Sequence, residues 1–418
     1  MASRVHASPA LPNPPAPSKF ASMTEWDCIV VGGGVSGLVA ASRLGSAGRR
    51  TLLLEASPRL GGCVQTWRPA DGIWLEMGAH TAYNSYGPLI EALAARGRQG
   101  ELLTRDKLGY RFFSPGGRLQ SPLARLSFLE AARSLPFGLR RAKTGQSVAQ
   151  WFSGLLGKGN YRRLLAPAFA AVLSQPADAF PAEWLFRRKP RIKTAPRKFS
   201  FDGGLQGLLE AIAQDAPFET RLGAAVTAVE RQAAGFGLSL LSGERLSCRQ
   251  LVLALPVDIA AGLIEPSYPP VAAALRSFPV STSEALAVVV PAAKVRMVRV
   301  AGLIGDDDAF YSVVTRDPIP HPDWRGFTFH FRPGALDAAG KRARAAAVLA
   351  VGEADFIYVQ ESVNRLPAPG VEHLRRVGEI DALLAAEPLA LVGNYLMGLS
   401  IGDCAERAVL ETDRLLAL

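Results

Sequence analysis

The sequence predicts an α/β fold with more than one structural unit. Its 418 residues exceed the size that one hydrophobic core usually organises. The chain is 49% hydrophobic and 20% charged, which supports a substantial core and excludes wholesale disorder and fibrous repeats. Between Asp27 and Glu55, a buried strand, a glycine-rich turn, a helix and a second strand follow one another. This order is that of a βαβ unit, so we expect a parallel sheet covered by helices.

The glycine-rich turn gives each glycine of its motif a physical task. The turn reads GGGVSG at 32–37, and the pattern GxGxxG falls on Gly32, Gly34 and Gly37. Gly32 permits the tight turn, Gly34 lets the backbone approach a pyrophosphate, and Gly37 allows the helix to pack closely on the strand. Free N–H groups at the helix N-terminus would hold the pyrophosphate. Because the motif lies between a strand and a helix, it predicts a Rossmann-like dinucleotide site.

The carboxylate at the end of the second strand narrows the choice of dinucleotide. Glu55 follows Gly37 by eighteen residues and would accept hydrogen bonds from an adenosine ribose. Its charge would repel a 2′-phosphate, so NADP is disfavoured. FAD and NAD remain.

The next residues, EASPRLGGCVQT at 55–66, resemble the second dinucleotide motif of the flavin-containing amine oxidase and protoporphyrinogen oxidase superfamily. The resemblance implies that Arg59, Gly61 and Gly62 hold the diphosphate of FAD. A simple NAD dehydrogenase has no reason to place an arginine and two glycines here. We therefore expect FAD as the cofactor, and the alternative is a surface turn with a solvated arginine.

The resemblance continues through most of the chain after residue 23. Segments 75–80, 146–169, 199–209, 219–230, 251–256 and 364–373 are similar to successive family segments, and 393–406 is similar to the closing flavin segment of protoporphyrinogen oxidases. It implies further cofactor contacts at Val226, which would touch the adenine, and at Leu399, Ser400, Ile401 and Asp403. For Val226 a core strand residue, and for Asp403 a helix cap, are the alternatives.

Departures from the family pattern bear on the substrate. His80 stands where some family members carry an arginine suited to a substrate carboxylate, so it is the candidate substrate-facing residue; a histidine merely satisfied beneath the flavin is the alternative. Cys63 replaces the arginine of typical amine oxidases, which points away from amine substrates. Among nine lysines only Lys294 falls where an amine oxidase lysine is plausible. No catalytic residue is assigned.

The resemblance implies a flavin domain assembled from separated segments, with an α+β substrate domain and a helical region that faces either the substrate or a membrane. The expected division is a disordered tail at 1–23, FAD-binding parts at 24–85, 196–264 and 388–418, a helical substrate- or membrane-facing region at 86–195, and a substrate-binding sheet region at 265–387.

Charge and surface patterns bear on partners and location. The formal charge is +10, and seven of the twelve residues at 187–198 are basic. No nucleic-acid fold signature accompanies them, so a solvated loop or a lipid-facing collar is favoured over DNA binding. Segment 125–141 mixes Leu and Phe with arginines, as a membrane-surface helix or a substrate-channel helix would. The apolar runs are too short for a spanning helix, and four scattered cysteines fit a reducing, cytoplasmic compartment.

The function expected from the resemblance is that of an FAD-dependent, protoporphyrinogen oxidase-like oxidase or dehydrogenase. It would transfer a hydride to FAD from a C–H bond of a small, nitrogen-bearing or conjugated ring compound, with dioxygen as acceptor. A flavin amine oxidase or tailoring oxidase, and a non-enzymatic flavin-binding protein, remain as alternatives. A transit peptide and a dispensable extension before Met23 are both open interpretations of the N-terminal tail.

Overall fold

The computed structural model describes residues 25–70, 72–78, 81–114 and 116–418. Its strands, in chain order, are β1 Glu25–Val31, β2 Thr51–Leu54, β3 Thr66–Ala70, β4 Ile73–Glu76, β5 Ala82–Tyr83, β6 Leu102–Thr104, β7 Tyr110–Ser114, β8 Arg118–Gln120, β9 Lys198–Phe201, β10 Glu219–Arg221, β11 Val226–Gln232, β12 Gly235–Leu240, β13 Arg245–Leu253, β14 Val280–Pro291, β15 Gly302–Gly305, β16 Phe310–Thr315, β17 Trp324–Phe331, β18 Tyr358–Pro367 and β19 Leu389–Leu391.

Its α-helices are α1 Val35–Ser46, α2 Gly87–Ala94, α3 Phe128–Gly138, α4 Val148–Leu156, α5 Lys158–Asn160, α6 Ala166–Leu173, α7 Leu205–Ala213, α8 Val257–Ile264, α9 Pro269–Arg276, α10 Ala338–Leu349, α11 Val371–Leu384 and α12 Ile401–Ala417. The predicted disordered tail, 1–23, and the substrate-facing candidate His80 lie outside the described residues.

The first sheet is the parallel sheet that the sequence predicts. Its order is β10-β2-β1-β13-β12-β11, and β19 pairs with the C-terminal end of β13. Strands β10, β2, β1, β13 and β19 are mutually parallel where they pair, whereas β12 and β11 extend the sheet antiparallel. Three separated stretches of the chain therefore contribute to one sheet.

Both faces of this sheet are buried along β2, β19, most of β1 and the end of β13, which explains the near-continuous apolar runs there. Along β1, Cys28 and Val30 point to one core and Ile29 and Val31 to the other. Helices α1, α2, α7 and α12 cover the first face, and α8, α9 and α11 cover the second. The period-two alternation thus divides the apolar run at 28–31 between two layers of helices.

A second sheet has the order β18-β14-β17-β16-β15-β7-β8. It is antiparallel except where β15 pairs with β7. One face packs five phenylalanines and other apolar side chains against α10. Side chains of the other face, including Ala285, Ala287 and Val289, pack with Leu75 and Met77 from the end of β4 and the turn after it. The second sheet is therefore seated on the part of the chain that follows the predicted dinucleotide motifs.

The range 86–195, which the sequence predicts to be helical, contains α2–α6 but also three strands. Residues 110–114 and 118–120 form β7 and β8, because Tyr110–Ser114 pairs with β15 on one side and with β8 on the other. Helices α4 and α6 surround a separate core that includes Phe152, Phe169 and Trp184, and Leu399 packs against that core. This contact brings the helical region to the start of α12.

Within the described part of the chain, no helix combines the length and the apolar character that crossing a bilayer requires.

Candidate cofactor and substrate site

The turn after β1 uses its glycines in different ways. Gly32 has φ +108°, and a Cβ atom there would lie 2.3 Å from the carbonyl oxygen of Ala254. A Cβ on Gly37 would lie 1.8 Å from the carbonyl oxygen of Gly32, so the helix meets the turn without room for a methyl group. A Cβ on Gly34 would meet no protein atom closer than the Cα of Gly62, at 3.9 Å. Gly32 and Gly37 serve the fold, while Gly34 borders open space.

The N-terminus of α1 has the features of an anion site. Among the described residues, the backbone N–H groups of Ser36 and Gly37 donate to no acceptor. No acidic residue lies in the first turn of the helix. Unpaired N–H groups and the helix dipole favour a phosphate here, so this end of α1 fits the diphosphate of a dinucleotide.

Glu55 is held close to the glycine turn. Its Oε2 accepts a hydrogen bond from the Gly33 N–H at 2.6 Å, and its Oε1 accepts one from the Ser57 N–H at 2.8 Å. The backbone of Glu55 pairs with that of Ala224, whose N–H donates to the Glu55 carbonyl at 2.9 Å. Val226, two residues further on, is half-buried at the start of β11. The predicted ribose and adenine contacts thus lie at one corner of the first sheet.

The second motif faces the first. The Gly61 N–H donates to the Gly33 carbonyl at 2.9 Å, which joins the two glycine segments. Gly61 and Gly62 have φ of +114° and +55°, conformations that favour glycine. The Arg59 guanidinium donates to the Gly62 carbonyl at 3.1 Å. Arg59 and the glycine pair therefore lie beside the open space in front of Gly34.

The C-terminal segment returns to the same place. Val392, directly after β19, donates its N–H to the Leu253 carbonyl at 3.0 Å. Ser400 caps α12, and the Ser400 hydroxyl accepts from the Asp403 N–H at 3.1 Å. The Ser36 hydroxyl of α1 donates to the Cys404 carbonyl of α12 at 3.3 Å. The N-terminal turns of α1 and α12 are therefore adjacent.

The start of α12 also presents free donors. Within the described residues, the N–H groups of Ile401 and Gly402 have no acceptor. A Cβ on Gly402 would lie 2.3 Å from the ring of Tyr86, so glycine is required by that packing. Two adjacent helix N-termini with unpaired N–H groups fit an extended cofactor that carries negative charge at more than one point.

Sequence reasoning missed three residues at this junction: Ser36, Tyr86 and Lys189. The Lys189 Nζ lies 2.6 Å from the Asp403 carboxylate, although the two residues are 214 positions apart. No local motif marks such a contact; the only signal was the run of basic residues at 187–198.

Ionisable side chains surround the segment that leads to His80. Glu76 is buried at the end of β4 and accepts hydrogen bonds from the Thr66 hydroxyl and the Leu205 N–H, both at 2.7 Å. Burial raises the pKa of Glu76 to about 7 despite these donors. Burial also lowers the pKa of Arg316, to about 10, and that of Arg105. Arg316 lies 3.6 Å over the Trp74 ring. The two arginines thus place positive charge beside the Glu76 carboxyl group.

Lys294, which the sequence singled out, and His373 have other contacts. Lys294 is 59% exposed and pairs with Asp355 at 3.2 Å, so it is not a buried lysine beside the candidate site. His373 stacks on Phe278 at 3.7 Å and bonds to the Tyr395 carbonyl, which gives it a packing role.

The fold and the site together define a Rossmann-like, dinucleotide-binding oxidoreductase. The profile of the family described as flavin containing amine oxidoreductase matches residues 35–296, more than half of the chain. The chain belongs to this family. It is an FAD-dependent oxidoreductase, as the resemblance implied.

Individual relatives agree with this assignment. The chain is 26% identical over 319 residues to protoporphyrinogen oxidase 1 of Arabidopsis thaliana, covering 60% of this chain and 59% of the relative. It is 34% identical over 110 residues to the 15-cis-phytoene desaturase of Solanum lycopersicum, covering 26% of this chain and 18% of that enzyme. The chain therefore spans less than two thirds of the length of these curated relatives.

Solved structures share the fold. A putative protoporphyrinogen oxidase from Exiguobacterium sp. 255-15 superposes with a TM-score of 0.71 at 18% identity, covering 96% of this chain and all of that one. Putrescine oxidase bound to putrescine gives a TM-score of 0.74 at 17% identity, covering 94% and 99%. The predicted α/β, Rossmann-like fold is confirmed.

Proposed function

We propose that this oxidoreductase acts on a conjugated or nitrogen-bearing ring compound, as a protoporphyrinogen oxidase-like enzyme, with dioxygen as electron acceptor. The observation that carries the proposal is the 319-residue similarity to the Arabidopsis protoporphyrinogen oxidase, because the similarity to the phytoene desaturase is confined to 110 residues. The exposed position of Lys294 gives no support to an amine oxidase lysine there.

The residues of the site would bind and orient the cofactor and the substrate. Bound FAD supplies two-electron oxidation by accepting a hydride from a substrate C–H bond. We assign the diphosphate to the N-terminus of α1, with Gly34, Gly61, Gly62 and Arg59 around it, because these residues border one open space. Free N–H groups and a guanidinium are suited to that charge.

We assign the two ends of the cofactor on the same kind of evidence. Glu55 and Val226 lie at one corner of the first sheet, which suits the ribose and adenine. Leu399, Ser400, Ile401 and Asp403 form the start of α12, which suits the flavin end. His80 remains our candidate for contact with the substrate, since the half-buried Arg105 and Arg316 lie close to the segment before it.

We also propose the three-part flavin domain at 24–85, 196–264 and 388–418. All three parts contribute strands to the first sheet, which supports the division. The second sheet and the helical region would then form the substrate side, because both pack onto the flavin domain next to the candidate site.

Peripheral contact with a membrane is part of the proposal. Of the eleven residues of α3 only Gly138 is buried. Large apolar side chains on and beside this helix are strongly exposed: Leu123, Phe128, Leu129, Phe137 and Leu139 are 63–72% exposed. Exposed arginines at 133, 140 and 141 accompany them. An apolar helix face flanked by cations suits the interface of an anionic bilayer.

Anaerobic mixing of the FAD-loaded protein with a panel of porphyrinogens and amines tests the proposed reaction. We expect porphyrinogens to bleach the flavin absorbance and oxygen to restore it with release of hydrogen peroxide. Bleaching by amines alone would replace the proposal with amine oxidation. Bound FAD that no member of the panel reduces would contradict the proposed substrate class and favour a binding role or a different small substrate.

A further inference from the structure

The first turn of α12 combines free N–H donors with a carboxylate. The N–H groups of Ile401 and Gly402 have no acceptor within the described residues, yet Asp403 follows them directly. The Asp403 side chain is only 8% exposed, and its Oδ2 accepts from the Ser400 N–H at 3.3 Å. A carboxylate in the first turn interacts favourably with the helix dipole and opposes the binding of a second anion. Taken alone, Asp403 would weaken this end of α12 as an anion site.

Two cations of the basic segment 187–198 balance the charge. The Lys189 Nζ lies 2.6 Å from Asp403 Oδ1 and 3.0 Å from Glu406 Oε2. The Arg187 guanidinium lies 3.7 Å from Asp403 and 3.5 Å from Glu406. Four charges, two of each sign, therefore form one cluster at the start of α12.

Lys189 differs from the rest of the basic segment in its burial. Its side chain is 13% exposed, whereas Arg188, Arg191 and Lys193 are exposed to solvent. Two backbone hydrogen bonds to Asn84 fix the segment in place. The Ile192 N–H donates to the Asn84 carbonyl at 2.7 Å, and the Asn84 N–H donates to the Arg197 carbonyl at 3.3 Å. Because water screens this pair poorly, its charges act on their surroundings more strongly than those of a surface ion pair. A solvated loop would not bury one lysine at this point.

We propose that Lys189 is a positioning residue for the flavin end of FAD. By neutralising Asp403, it leaves the N–H groups of Ile401 and Gly402 free to stabilise the negative charge that the flavin ring gains on reduction. The inference rests on the proposed placement of the flavin end at α12. It deepens that placement by assigning the charge balance of the site to a residue outside the family motifs quoted above.

Redox titration of the FAD-loaded variants tests the role of Lys189. In K189Q, Asp403 keeps only the more distant Arg187 guanidinium as a counter-charge, so the reduced flavin should be disfavoured about tenfold, a shift of the two-electron midpoint potential by about −30 mV. K193Q, which removes an exposed lysine of the same segment, should leave the potential unchanged, and K189R should retain most of the wild-type value. A K189Q potential equal to that of the wild type would overturn the proposal.

The partner carboxylate gives a second, independent arm. D403N should shift the potential in the positive direction, and K189Q/D403N should return close to the wild-type value because both charges are removed. This arm stays informative even if K189Q alone disturbs the basic segment. A double variant that keeps the full K189Q shift would overturn the charge-balance argument.

Proline at Ile401 separates this inference from the placement on which it rests. I401P removes only one N–H group at a helix position where proline is well accommodated, and I401A controls for the lost side chain. If I401P and I401A retain FAD equally and have equal potentials, the flavin end is not at α12 and the placement fails. If I401P weakens FAD binding relative to I401A while K189Q has no effect, only the role of Lys189 fails.

Discussion

Single glycines in the turn after β1 show how much a motif leaves undefined. The pattern GxGxxG treats Gly32, Gly34 and Gly37 alike, but their surroundings differ. Side chains at Gly32 and Gly37 would collide with backbone atoms, whereas Gly34 has an extended backbone, with φ −78° and ψ −175°, and open space beside it. Fold and ligand binding thus depend on different members of one motif.

We expect G34V to fold normally and to lose FAD. Its Cβ meets no protein atom closer than 3.9 Å, so the added methyl groups project into the space assigned to the diphosphate. FAD affinity should fall at least 100-fold, about 2.7 kcal/mol, when apoprotein is titrated with FAD and flavin fluorescence is followed. Circular dichroism and thermal melting would show that the fold is retained.

G32V and G262V are the control variants for this measurement. G32V should fail to accumulate as folded protein, since its Cβ would lie 2.3 Å from the Ala254 carbonyl oxygen at φ +108°. Gly262, in α8, has no atom within 4 Å of its Cβ position, so G262V should bind FAD as the wild type does. A folded G34V that retains full FAD affinity would refute the placement of the diphosphate.

At the residue scale, the sequence predicts the site as far as its motifs reach. The two glycine motifs and Glu55 are local signals, and the structure brings them within hydrogen-bonding distance of one another. Lys189 and Tyr86 belong to no motif. Lys189 contacts Asp403 and Tyr86 contacts Gly402, and both contacts join residues that are far apart in the sequence. Such residues can be found only after the chain has been folded.

Among the α-helices of the described residues, α3 has the smallest share of buried residues, one of eleven. Its position is nevertheless fixed at the N-terminus, where Asn160 accepts from the Ser127 N–H at 2.7 Å and Arg163 pairs with Glu130 at 2.9 Å. At its other end, Gly138 packs so closely on α4 that a Cβ would lie 2.4 Å from the Cα of Leu155. The protein therefore holds an apolar helix rigidly at its surface, an arrangement that favours an interaction over a chance exposure.

Replacing two of the exposed phenylalanines tests membrane contact. F128Q/F137Q should weaken co-sedimentation with vesicles of phosphatidylcholine and phosphatidylglycerol at least tenfold, because each buried phenylalanine contributes about 1.5–3 kcal/mol. V363Q alters a similarly exposed apolar residue, on β18, and should bind as the wild type does. Wild-type protein that ignores these vesicles, or an F128Q/F137Q variant that binds them unchanged, would contradict the membrane proposal.

At the element scale, prediction succeeds where the hydrophobic pattern is local and fails where pairing is distant. The βαβ unit formed by β1, α1 and β2 was predicted from contiguous residues. Strand β7 was not predicted, because its parallel partner β15 begins at Gly302 and the sequence around Tyr110 carries no signal for that pairing. Residues that were expected to be helical therefore form β7 and β8 at the edge of the second sheet, because they pair with a strand that is distant in the sequence.

The molecule as a whole is organised around a sheet assembled from three stretches of chain. β1 and β2 come from the first, β10 to β13 from the second, and β19 from the third, which then continues into α12. The N-terminal turns of α1 and α12 meet through the hydrogen bond from Ser36 to Cys404. A cofactor that contacts both turns would bridge the first and last stretches, so its binding should stabilise parts of the sheet far apart in sequence.

Hydrogen exchange measured with and without FAD tests this bridging. At an FAD concentration 100 times its dissociation constant, the free energy of any structural opening that releases the cofactor should rise by about 2.7 kcal/mol. Amides of β1, α1, β19 and α12 should therefore exchange more slowly together, whereas amides of the second sheet next to α10 should change little. Protection limited to β1 and α1 would show that the C-terminal segment takes no part in holding FAD, and the three-part flavin domain would have to be abandoned.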